Sequence, residues 1–378
     1  MGYVVEYRSG RREVHGEAPP AFTVSVADAR QFRRILSGNA YSVALDFIRG
    51  RFDIAGDLLA AMRWRERRLH RGALDWLWSL AVRCAPVRLE TWFQSRNRAS
   101  RNIRFHYDVS NEFYRQFLDG RMVYSAGLFE KPGWSLEQAQ EAKLKRICED
   151  LELHPGERFL DVGCGWGSLL VHAAQCFGVQ ATGCTLSHRQ YEFARSLIEA
   201  RGLEQGAAVR EADYRELAQR FDKVASIGMF EHVGRHRLVQ YFGKIYGLLE
   251  DGGLFLNSGI TRPETVSDDP ETWFLLRRVF PGGELAHLSE VVRAAETAGF
   301  RVLRIVSQRK DYARTCEEWV SRLRRNRDVC VGLVGEKIYR TWLLYLAGSA
   351  ANFAAGNLGT EQILMRKRPR ACSPPVYN

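Results

Sequence analysis

Residues 159–170 read FLDVGCGWGSLL, and this stretch decides the fold. An apolar run contains Asp161, glycines alternate at positions 163, 165 and 167, and a second apolar run follows. Glycine lets the backbone turn sharply and approach a ligand, and the first N–H groups of the next helix are free to bind it. The spacing G-x-G-x-G differs from the dinucleotide fingerprint G-x-G-x-x-G and from a P-loop. The loop therefore predicts a ligand without a pyrophosphate, bound at the carboxyl end of a first strand.

Strands and helices alternate from about residue 157 onward. We predict strands at 157–162, 179–184, 207–212, 222–227 and 253–258, with helices between them, notably at 188–201 and 235–249. This spacing is typical of βαβ units, so we expect an α/β fold with a mostly parallel sheet and helices on both faces. Segments 299–306 and 361–367 are candidates for antiparallel edge strands.

The first hundred residues follow a different pattern. Residues 25–62 have helical periodicity broken at Gly38, Gly50 and Gly56, which predicts a small α-rich domain over 1–100. Residues 61–104 hold eleven Arg, no Lys and three acids, together with Trp64, Trp76, Trp78 and Trp92. Arg beside Trp is typical of a membrane interface, although a solvated helix with inward-facing Trp has the same composition.

The overall composition fits a globular protein with an anionic partner. The chain is 46% hydrophobic, and its formal net charge of +11 favours nucleic acid or an acidic membrane surface. The eight Cys form no CxxC pair and no metal spacing, so we expect free thiols in a reducing cytosol and no metal. The N-terminus lacks an apolar h-region, so we expect no secretory signal. The uncharged stretch 341–360 is rich in Gly, Ala, Ser and Asn, which favours a buried helix over a membrane span.

Several motifs resemble one family. The glycine loop has the pattern D-x-G-x-G-x-G between a predicted strand and a predicted helix. This arrangement resembles motif I of the class I S-adenosylmethionine-dependent methyltransferases. That class usually has a ribose-binding acid after the next strand, whereas this chain reads GCTLSHRQ at 183–190. This departure, with ADYREL (212–217), SIGMFEHVG (226–234) and DYARTCEEW (311–319), resembles the cyclopropane-fatty-acid synthase family, which includes the mycolic acid cyclopropane synthases. HYDVSNEFYRQFLD (106–119) and MVYSAGLF (122–129) fit the same family, so the resemblance covers roughly residues 100–367.

The resemblance implies a fold and an activity. Residues 101–378 would form a Rossmann-like class I methyltransferase domain with a mostly parallel seven-stranded sheet, and 101–150 would be a helical cap over the active site. The domain would transfer a methyl group from S-adenosylmethionine to a double bond in a phospholipid acyl chain, with cyclopropane formation as the family default. The basic part, 1–100, resembles the lipid-facing domain of longer bacterial members. The resemblance implies a cytoplasmic protein that attaches peripherally to an anionic membrane. A homodimer is one of the assemblies that it could form.

Ten positions match the cofactor-binding motifs of the family. Tyr124 and Ser125 would contact the methionine end, and Gly163, Gly165 and Trp166 would form the loop beneath the cofactor. The missing ribose acid would be replaced by neutral hydrogen bonds from Thr185, Ser187 and Gln190. The adenine would lie between Asp213 and Tyr214.

The resemblance also places Glu231 at the reaction. In this family a bound bicarbonate serves as the base, so Glu231 would orient it and accept its proton. Tyr312 would donate a hydrogen bond to the anion, and Ile260 would offer its backbone. A buried carboxylate has a raised pKa, which suits proton relay. Alternatively, Glu231 could satisfy free N–H groups at a helix start. The neighbouring His232 is interpreted as structural rather than as a base.

Two positions depart from the family pattern. Ala126 stands where the family has a Cys, and Ser258 falls where a His is expected. Two of the four side chains that would hold bicarbonate are therefore replaced. Ser258 with backbone amides could hold the anion more weakly, Glu231 could be the base directly or through water, or the product could be a methyl-branched or methylene-bearing chain.

Two other function classes share parts of this pattern. Plant amine N-methyltransferases resemble the family, so a small-molecule N- or C-methyltransferase is an alternative, although a soluble amine needs no Arg/Trp surface. A nucleic-acid methyltransferase that flips its base would have an [ND]-P-P-[YF] motif after the fourth strand. The chain has MFEH there, so nucleic acid is not an expected partner.

Overall fold

The computed structural model describes residues 1–38, 40–68, 110–263 and 284–368. The strands in these residues are β1 (Gly2–Tyr7), β2 (Arg12–His15), β3 (Pro20–Val26), β4 (Asp53–Gly56), β5 (Arg158–Val162), β6 (Gln180–Thr185), β7 (Ala207–Glu211), β8 (Phe221–Ile227), β9 (Leu249–Thr261), β10 (Phe300–Ser307) and β11 (Gly359–Lys367). The helices are α1 (Ala29–Ser37), α2 (Ala40–Ile48), α3 (Leu58–Arg68), α4 (Asn111–Arg115), α5 (Leu136–Asp150), α6 (Ser168–Phe177), α7 (His188–Ala200), α8 (Leu238–Leu248), α9 (Leu288–Thr297), α10 (Arg309–Arg325) and α11 (Arg327–Ala355). Short 3₁₀ turns occupy Tyr214–Glu216, Phe230–His232 and Arg235–Arg237.

Seven strands form the main sheet in the order β10-β11-β9-β8-β5-β6-β7. The strands β5 to β9 pair in parallel, and β11 pairs antiparallel with both β9 and β10. The predicted mostly parallel sheet is confirmed. The two late segments are antiparallel strands, but only β10 lies at the edge because β11 is inserted beside β9.

The strand order reverses at β5, since β6 and β7 lie on one side of it and β8 and β9 on the other. In open α/β sheets this reversal leaves a crevice at the carboxyl ends of the strands. The glycine loop between β5 and α6 lies there, and Gly163, Gly165 and Gly167 all have positive φ, at 75°, 54° and 85°. These conformations favour glycine, so the loop in the sequence and the crevice in the sheet coincide.

Apolar periodicity explains how the helices cover the sheet. In α8 the buried residues Leu238, Tyr241, Phe242, Ile245 and Leu248 recur at helical spacing and join the core with β9 residues such as Phe255. In β5 four consecutive residues are buried, as expected for a central strand covered on both faces.

Within the described residues 1–38 and 40–68, the N-terminal part contains a sheet as well as the predicted helices. Four strands form a sheet in the order β2-β1-β3-β4, and α1 to α3 accompany it. The burial of β3 alternates along PAFTVSV, a period of two that the helical reading of residues 25–62 did not consider. The predicted breaks at Gly38 and Gly50 are present, whereas Gly56 ends β4. The predicted boundary near residue 100 lies outside the described residues.

Trp64 does not face a membrane. It is 8% exposed, and its ring packs 4.5 Å from Tyr3 and 5.6 Å from Phe22, between centroids. The interpretation with inward-facing Trp therefore holds for this residue. Trp76, Trp78 and Trp92 lie outside the described residues.

Helix α11 contains residues 341–355 of the long uncharged stretch. Trp342, Leu346 and Ala350 are among its buried residues, and Gly335 interrupts the helical dihedrals with φ of 78°. The predicted buried helix is confirmed. None of the described helices combines the length and apolar character that crossing a membrane requires.

Candidate active site

A cavity of about 210 Å³ lies at the carboxyl ends of β5, β6 and β8. Nine of the ten predicted cofactor-binding residues line it: Tyr124, Ser125, Gly163, Gly165, Trp166, Thr185, Gln190, Asp213 and Tyr214. A Cβ on Gly165 would meet only the Gln190 amide, at 4.0 Å, so this glycine leaves the cavity floor open for a ligand. The loop, the strand ends and the residues before α5 thus form one pocket, as the motifs predicted.

Ser187 is the exception among the ten. It is fully buried, and its hydroxyl accepts the Gln190 N–H as the N-cap of α7, while Leu186 lines the cavity instead. Ser187 therefore does not line the cavity, and its predicted hydrogen bond to the cofactor stays a prediction. Its role is to fix the start of the helix that carries Gln190.

Thr185 and Gln190, which were predicted to replace the ribose acid, form a hydrogen-bonded pair. Thr185 Oγ1 donates to Gln190 Oε1 at 2.8 Å and accepts from the Ser187 N–H at 3.2 Å. Both side chains are about 5% exposed and line the cavity. The amide nitrogen of Gln190 is thereby directed as a donor, which can bind a hydroxyl without bringing a charge.

Asp213 and Tyr214 lie at the opposite wall. The Asp213 carboxylate accepts the Arg215 N–H at 2.9 Å and pairs with the Arg215 guanidinium, so it shapes the turn at 214–216. Burial raises the pKa of Tyr214 to about 12, so its ring is a neutral apolar face. Such a face suits a stacked heterocycle.

Aromatic residues hold the methionine end of the pocket. Trp166 is 2% exposed, donates its Nε1–H to Asn111 Oδ1 at 2.9 Å and packs 4.8 Å from Tyr114. Tyr124 packs 5.1 Å from Trp319. These contacts join α4 and α10 to the glycine loop and exclude water from that wall.

Two fully buried charged residues in this pocket were not predicted. Lys143 of α5 and Asp161 of β5 are each 3% exposed and line the same cavity. The Lys143 ammonium donates to Ser125 Oγ at 2.7 Å. Asp161 belongs to the motif D-x-G-x-G-x-G, so the sequence contained a signal for it. Lys143 had none, because a lysine in an amphipathic helix usually faces water.

A second cavity, of about 20 Å³, adjoins the first. The four predicted catalytic residues Glu231, Ser258, Ile260 and Tyr312 line it. Ser125 and Lys143 line both cavities. The ends of β8 and β9 and the start of α10 therefore bring together residues that lie up to eighty positions apart in the sequence.

Glu231 is held by one oxygen and free at the other. Glu231 Oε1 accepts the Ile260 N–H at 2.6 Å, whereas Oε2 is buried without a hydrogen-bond partner in the described structure. Burial raises the pKa of this carboxyl to about 7. The N–H groups that lower this pKa are that of Ile260 in β9 and that of Glu231 itself, so the carboxylate is held across the sheet as well as locally. Burial also lowers the pKa of His232 to about 4, which leaves a neutral ring and agrees with a structural role.

The bicarbonate that the resemblance implies does not fit this cavity. Ala126 offers no donor, and the Ile260 N–H predicted to bind the anion is already bonded to Glu231. A volume of about 20 Å³ is the room that a single water needs. An anion there would face both the buried Glu231 carboxyl and the Lys143 ammonium. These residues instead present an unpartnered carboxylate oxygen to a very small space.

Comparisons with known proteins agree with this geometry. Residues 94–363 match the family model of mycolic acid cyclopropane synthetase. The chain is 36% identical to a probable fatty acid methyltransferase of Pseudomonas putida, over 92% of this chain and 88% of that one. It is also 36% identical to a probable fatty acid methyltransferase of Mycobacterium tuberculosis, over 97% of this chain and 82% of the relative.

A solved structure supports the cofactor. Mycolic acid cyclopropane synthase CmaA1, crystallised with S-adenosylhomocysteine, is 32% identical with a TM-score of 0.68, over 71% of this chain and 98% of that one. The fold is that of the class I methyltransferases, and nine of the ten residues predicted to bind the cofactor line the pocket at the end of β5. The chain belongs to the mycolic acid cyclopropane synthetase family of S-adenosylmethionine-dependent methyltransferases.

Proposed function

We propose that the protein transfers a methyl group from S-adenosylmethionine to the double bond of an unsaturated acyl chain in a membrane phospholipid. Relatives named as fatty acid methyltransferases align with more than nine tenths of the chain, which supports an acyl substrate. A cyclopropane is the first product to test, because the matching family is named for cyclopropane synthesis.

The observation that carries the proposal is the free oxygen of Glu231. The bound cofactor supplies an electrophilic methyl group, and an alkene that accepts it becomes a cation that must lose a proton. Glu231 Oε2 is buried, unpartnered and adjacent to the cofactor cavity, and the pKa of about 7 lets it take that proton near neutrality. The burial of this carboxylate limits its contact with bulk water, which would otherwise add to the cation.

The product depends on which proton Glu231 removes. A new C–C bond forms between the methyl carbon and one alkene carbon as the C–S bond breaks, and the positive charge moves to the other alkene carbon. Loss of a proton from the transferred methyl closes a cyclopropane. If a hydride first shifts from the methyl-bearing carbon to the cationic carbon, loss of the same methyl proton gives a methylene group instead. Loss of a proton from the acyl chain gives a methyl-branched alkene, the second candidate, which the altered positions Ala126 and Ser258 favour.

Isotope labelling tests the proposal. The protein is expressed in a host without its own synthase, fed trideuteromethyl methionine, and the phospholipid acyl chains are analysed by mass spectrometry. Two retained deuteriums indicate a proton lost from the methyl, and resistance to mild hydrogenation then identifies the cyclopropane. Three indicate the methyl-branched alkene. Unlabelled lipid from a protein that still binds S-adenosylhomocysteine would contradict the proposal and favour a small-molecule acceptor.

The proposed partner is an anionic membrane surface that faces the cytoplasm. The net charge of +11 supports attraction to acidic headgroups. Co-sedimentation with phosphatidylglycerol vesicles, with phosphatidylcholine vesicles and with duplex DNA tests this. Salt-sensitive binding to the first alone is expected, whereas binding to DNA alone would contradict it.

A further inference from the structure

A short apolar stretch at the start of α11 faces outward. Residues 329–335 read VCVGLVG and carry no charge, although both flanks are charged. Val329 and Leu333 are 54% and 43% exposed, and their spacing places them on one face of the helix. A Cβ on Gly332 or Gly335 would meet no described atom within 4 Å, so open space surrounds this pair. We call residues 329–335 the apolar tip.

The chain bends sharply at the apolar tip. The Arg327 guanidinium pairs with Glu336 at 3.0 Å and lies 5.8 Å from the centre of the Tyr339 ring. Arg327 and Tyr339 would be separated by about 18 Å along the axis of a straight helix. The dihedrals of Gly335 break the helix and bring them together. Cys330 is fully buried beneath the tip, so the tip is fixed to the protein from below.

Cations flank the apolar tip on both sides. Residues 321–341 hold six Lys or Arg and two acids, which gives a net charge of +4. Arg325 and Lys337 stand before and after the tip, and both are exposed. Neither forms an ion pair with any residue that the structure describes. The acid nearest to the tip, Asp328, is paired with Arg327. Two cations without an acidic partner therefore accompany the exposed apolar pair.

We propose that the apolar tip is a membrane-docking site, in which Val329 and Leu333 enter the acyl region of the bilayer while Arg325 and Lys337 bind the phosphates of anionic lipids. Apolar side chains with cations beside them match a bilayer surface, where charged headgroups cover the hydrocarbon. The inference rests on the proposed function in its choice of a lipid bilayer as the partner, and it does not depend on which product is formed.

The strand β10 carries another group of exposed apolar residues but suits a bilayer less well. Leu303 and Ile305 are each 40% exposed. Because β10 is the edge strand of the main sheet, one side of its backbone has no strand partner in the described part of the chain. Such N–H and C=O groups bind water and are costly to place in hydrocarbon. Residues of a helix satisfy their backbone groups within the helix, so the apolar tip avoids that cost.

The rest of α11 joins the apolar tip to the candidate active site. The helix continues from Glu336 without another break, and Trp342 packs 6.2 Å from Tyr124, which lines the cofactor cavity. Glu336 and Trp342 are about 9 Å apart along the helix axis. Docking at the tip would therefore hold this aromatic wall close to the bilayer surface, where an acyl chain has to leave the membrane.

Vesicle binding by the full chain tests the proposal. The double variant Val329→Glu with Leu333→Glu should bind phosphatidylglycerol vesicles at least about tenfold more weakly, because two inserted apolar side chains become charged. Arg325→Gln and Lys337→Gln should each weaken this binding about fivefold and leave binding to phosphatidylcholine vesicles unchanged. All four positions are exposed, so denaturant unfolding of these variants should match that of the unsubstituted protein.

The matched control adds the same two charges to β10. Leu303→Glu with Ile305→Glu changes two side chains of similar exposure and should bind vesicles normally. Hydrogen exchange of the unsubstituted protein locates the contact independently. Amides of residues 328–335 should exchange more slowly when phosphatidylglycerol vesicles are added, whereas those of β10 should not change.

Three results would overturn the docking site. They are the absence of vesicle binding by the unsubstituted protein, unchanged binding by the double variant of the tip, and an equal loss of binding in the β10 control. A dimer that the tip variant converts to a monomer in analytical ultracentrifugation, with vesicle binding intact, would assign the tip to a second copy of the chain and also overturn it. The proposed function fails separately: vesicles that bind through the tip but gain no methyl label would contradict acyl methylation and support the docking site.

Discussion

The orientation of the Glu231 carboxylate depends on the neighbouring strand β9. The Ile260 N–H orients the carboxylate through Oε1, and a side chain at Gly259 would collide with Phe230 and approach Glu231 Oε1 within 2.9 Å. The bare backbone of β9 therefore keeps the carboxylate in place and lets Oε2 face the small cavity. Burial without a second donor then raises its pKa.

Replacing this carboxylate should stop the reaction. Glu231→Gln should lower kcat by about 10²- to 10⁴-fold, because the variant has no base, while S-adenosylhomocysteine still binds. In the unsubstituted protein, kcat should rise with pH through about 7, as the carboxyl ionises. Steady-state assays on phospholipid vesicles across pH 5.5–8.5 measure both effects.

The matched control is Glu361→Gln. Burial also raises the pKa of Glu361, but this residue binds Thr261 and lines neither cavity. It should keep its turnover. Normal turnover by Glu231→Gln would remove the role of base from that carboxylate.

Glu231→Gln should also change the pH dependence of stability. Between the ordinary pKa of 4.5 and about 7, the folded protein holds a proton on Glu231 that the unfolded chain releases. Stability therefore falls as pH rises through this window, by up to about 3 kcal/mol. Denaturant unfolding of Glu231→Gln should show a smaller loss between pH 5 and pH 8. Parallel curves for the two proteins would contradict the raised pKa.

At the scale of an element, the loop between β5 and α6 joins folding to binding. A Cβ on Gly167 would lie 2.9 Å from the Ala194 Cβ, so this glycine lets α7 approach the loop. A Cβ on Gly165 would enter open cavity. Neighbouring glycines in one motif therefore serve helix packing and ligand access separately.

Two substitutions should separate these roles. Gly165→Val should abolish cofactor binding and cost about 1–2 kcal/mol of stability, which reflects its positive φ. Gly167→Val adds the collision with Ala194 to the same strain and should destabilise further. Thermal unfolding and titration with S-adenosylhomocysteine distinguish them. Equal destabilisation by the two variants would contradict the assignment.

At the scale of the whole molecule, Arg340 connects the N-terminal part to α11. It is 8% exposed, and its guanidinium donates to the carbonyls of Phe47 and Phe52 and to the Asp53 carboxylate, at 3.1–3.3 Å. Its Nε–H donates to Glu336 at 2.6 Å. In addition, one hydrophobic core contains residues of β1 and β3 together with residues of α10 and α11. The two parts of the chain are therefore packed as one body around α11.

Removing this guanidinium should loosen the N-terminal part. Arg340→Met leaves two carbonyls without a donor and should destabilise by about 2–4 kcal/mol. Hydrogen exchange should accelerate in β1 to β4, while S-adenosylhomocysteine binding stays intact. Lys337→Met, an exposed position on the same helix, is the control. Unchanged exchange in the Arg340 variant would show that the apolar contacts alone hold this part.

The sequence alone predicted the main sheet because its signals are local. Apolar runs at regular spacing marked β5 to β9, and the glycines with Asp161 marked the loop. Such signals need only neighbours in the chain, since backbone conformation and amphipathic period are local properties. The N-terminal strands β1 to β3 lie mostly before residue 25, where no element was predicted, and β4 lies inside the stretch 25–62 that was interpreted as helical.

Only the tertiary structure decided which groups face one another. The fold turned Ser187 into a helix cap, gave the Ile260 N–H to Glu231 and left Glu231 Oε2 without a partner. It also buried Lys143 opposite Asp161, although the sequence pattern placed that lysine on an ordinary helix face. The sequence determined the main sheet and the cofactor loop, whereas the placement of buried charges required the packed molecule, because burial and distance depend on residues far away in the chain.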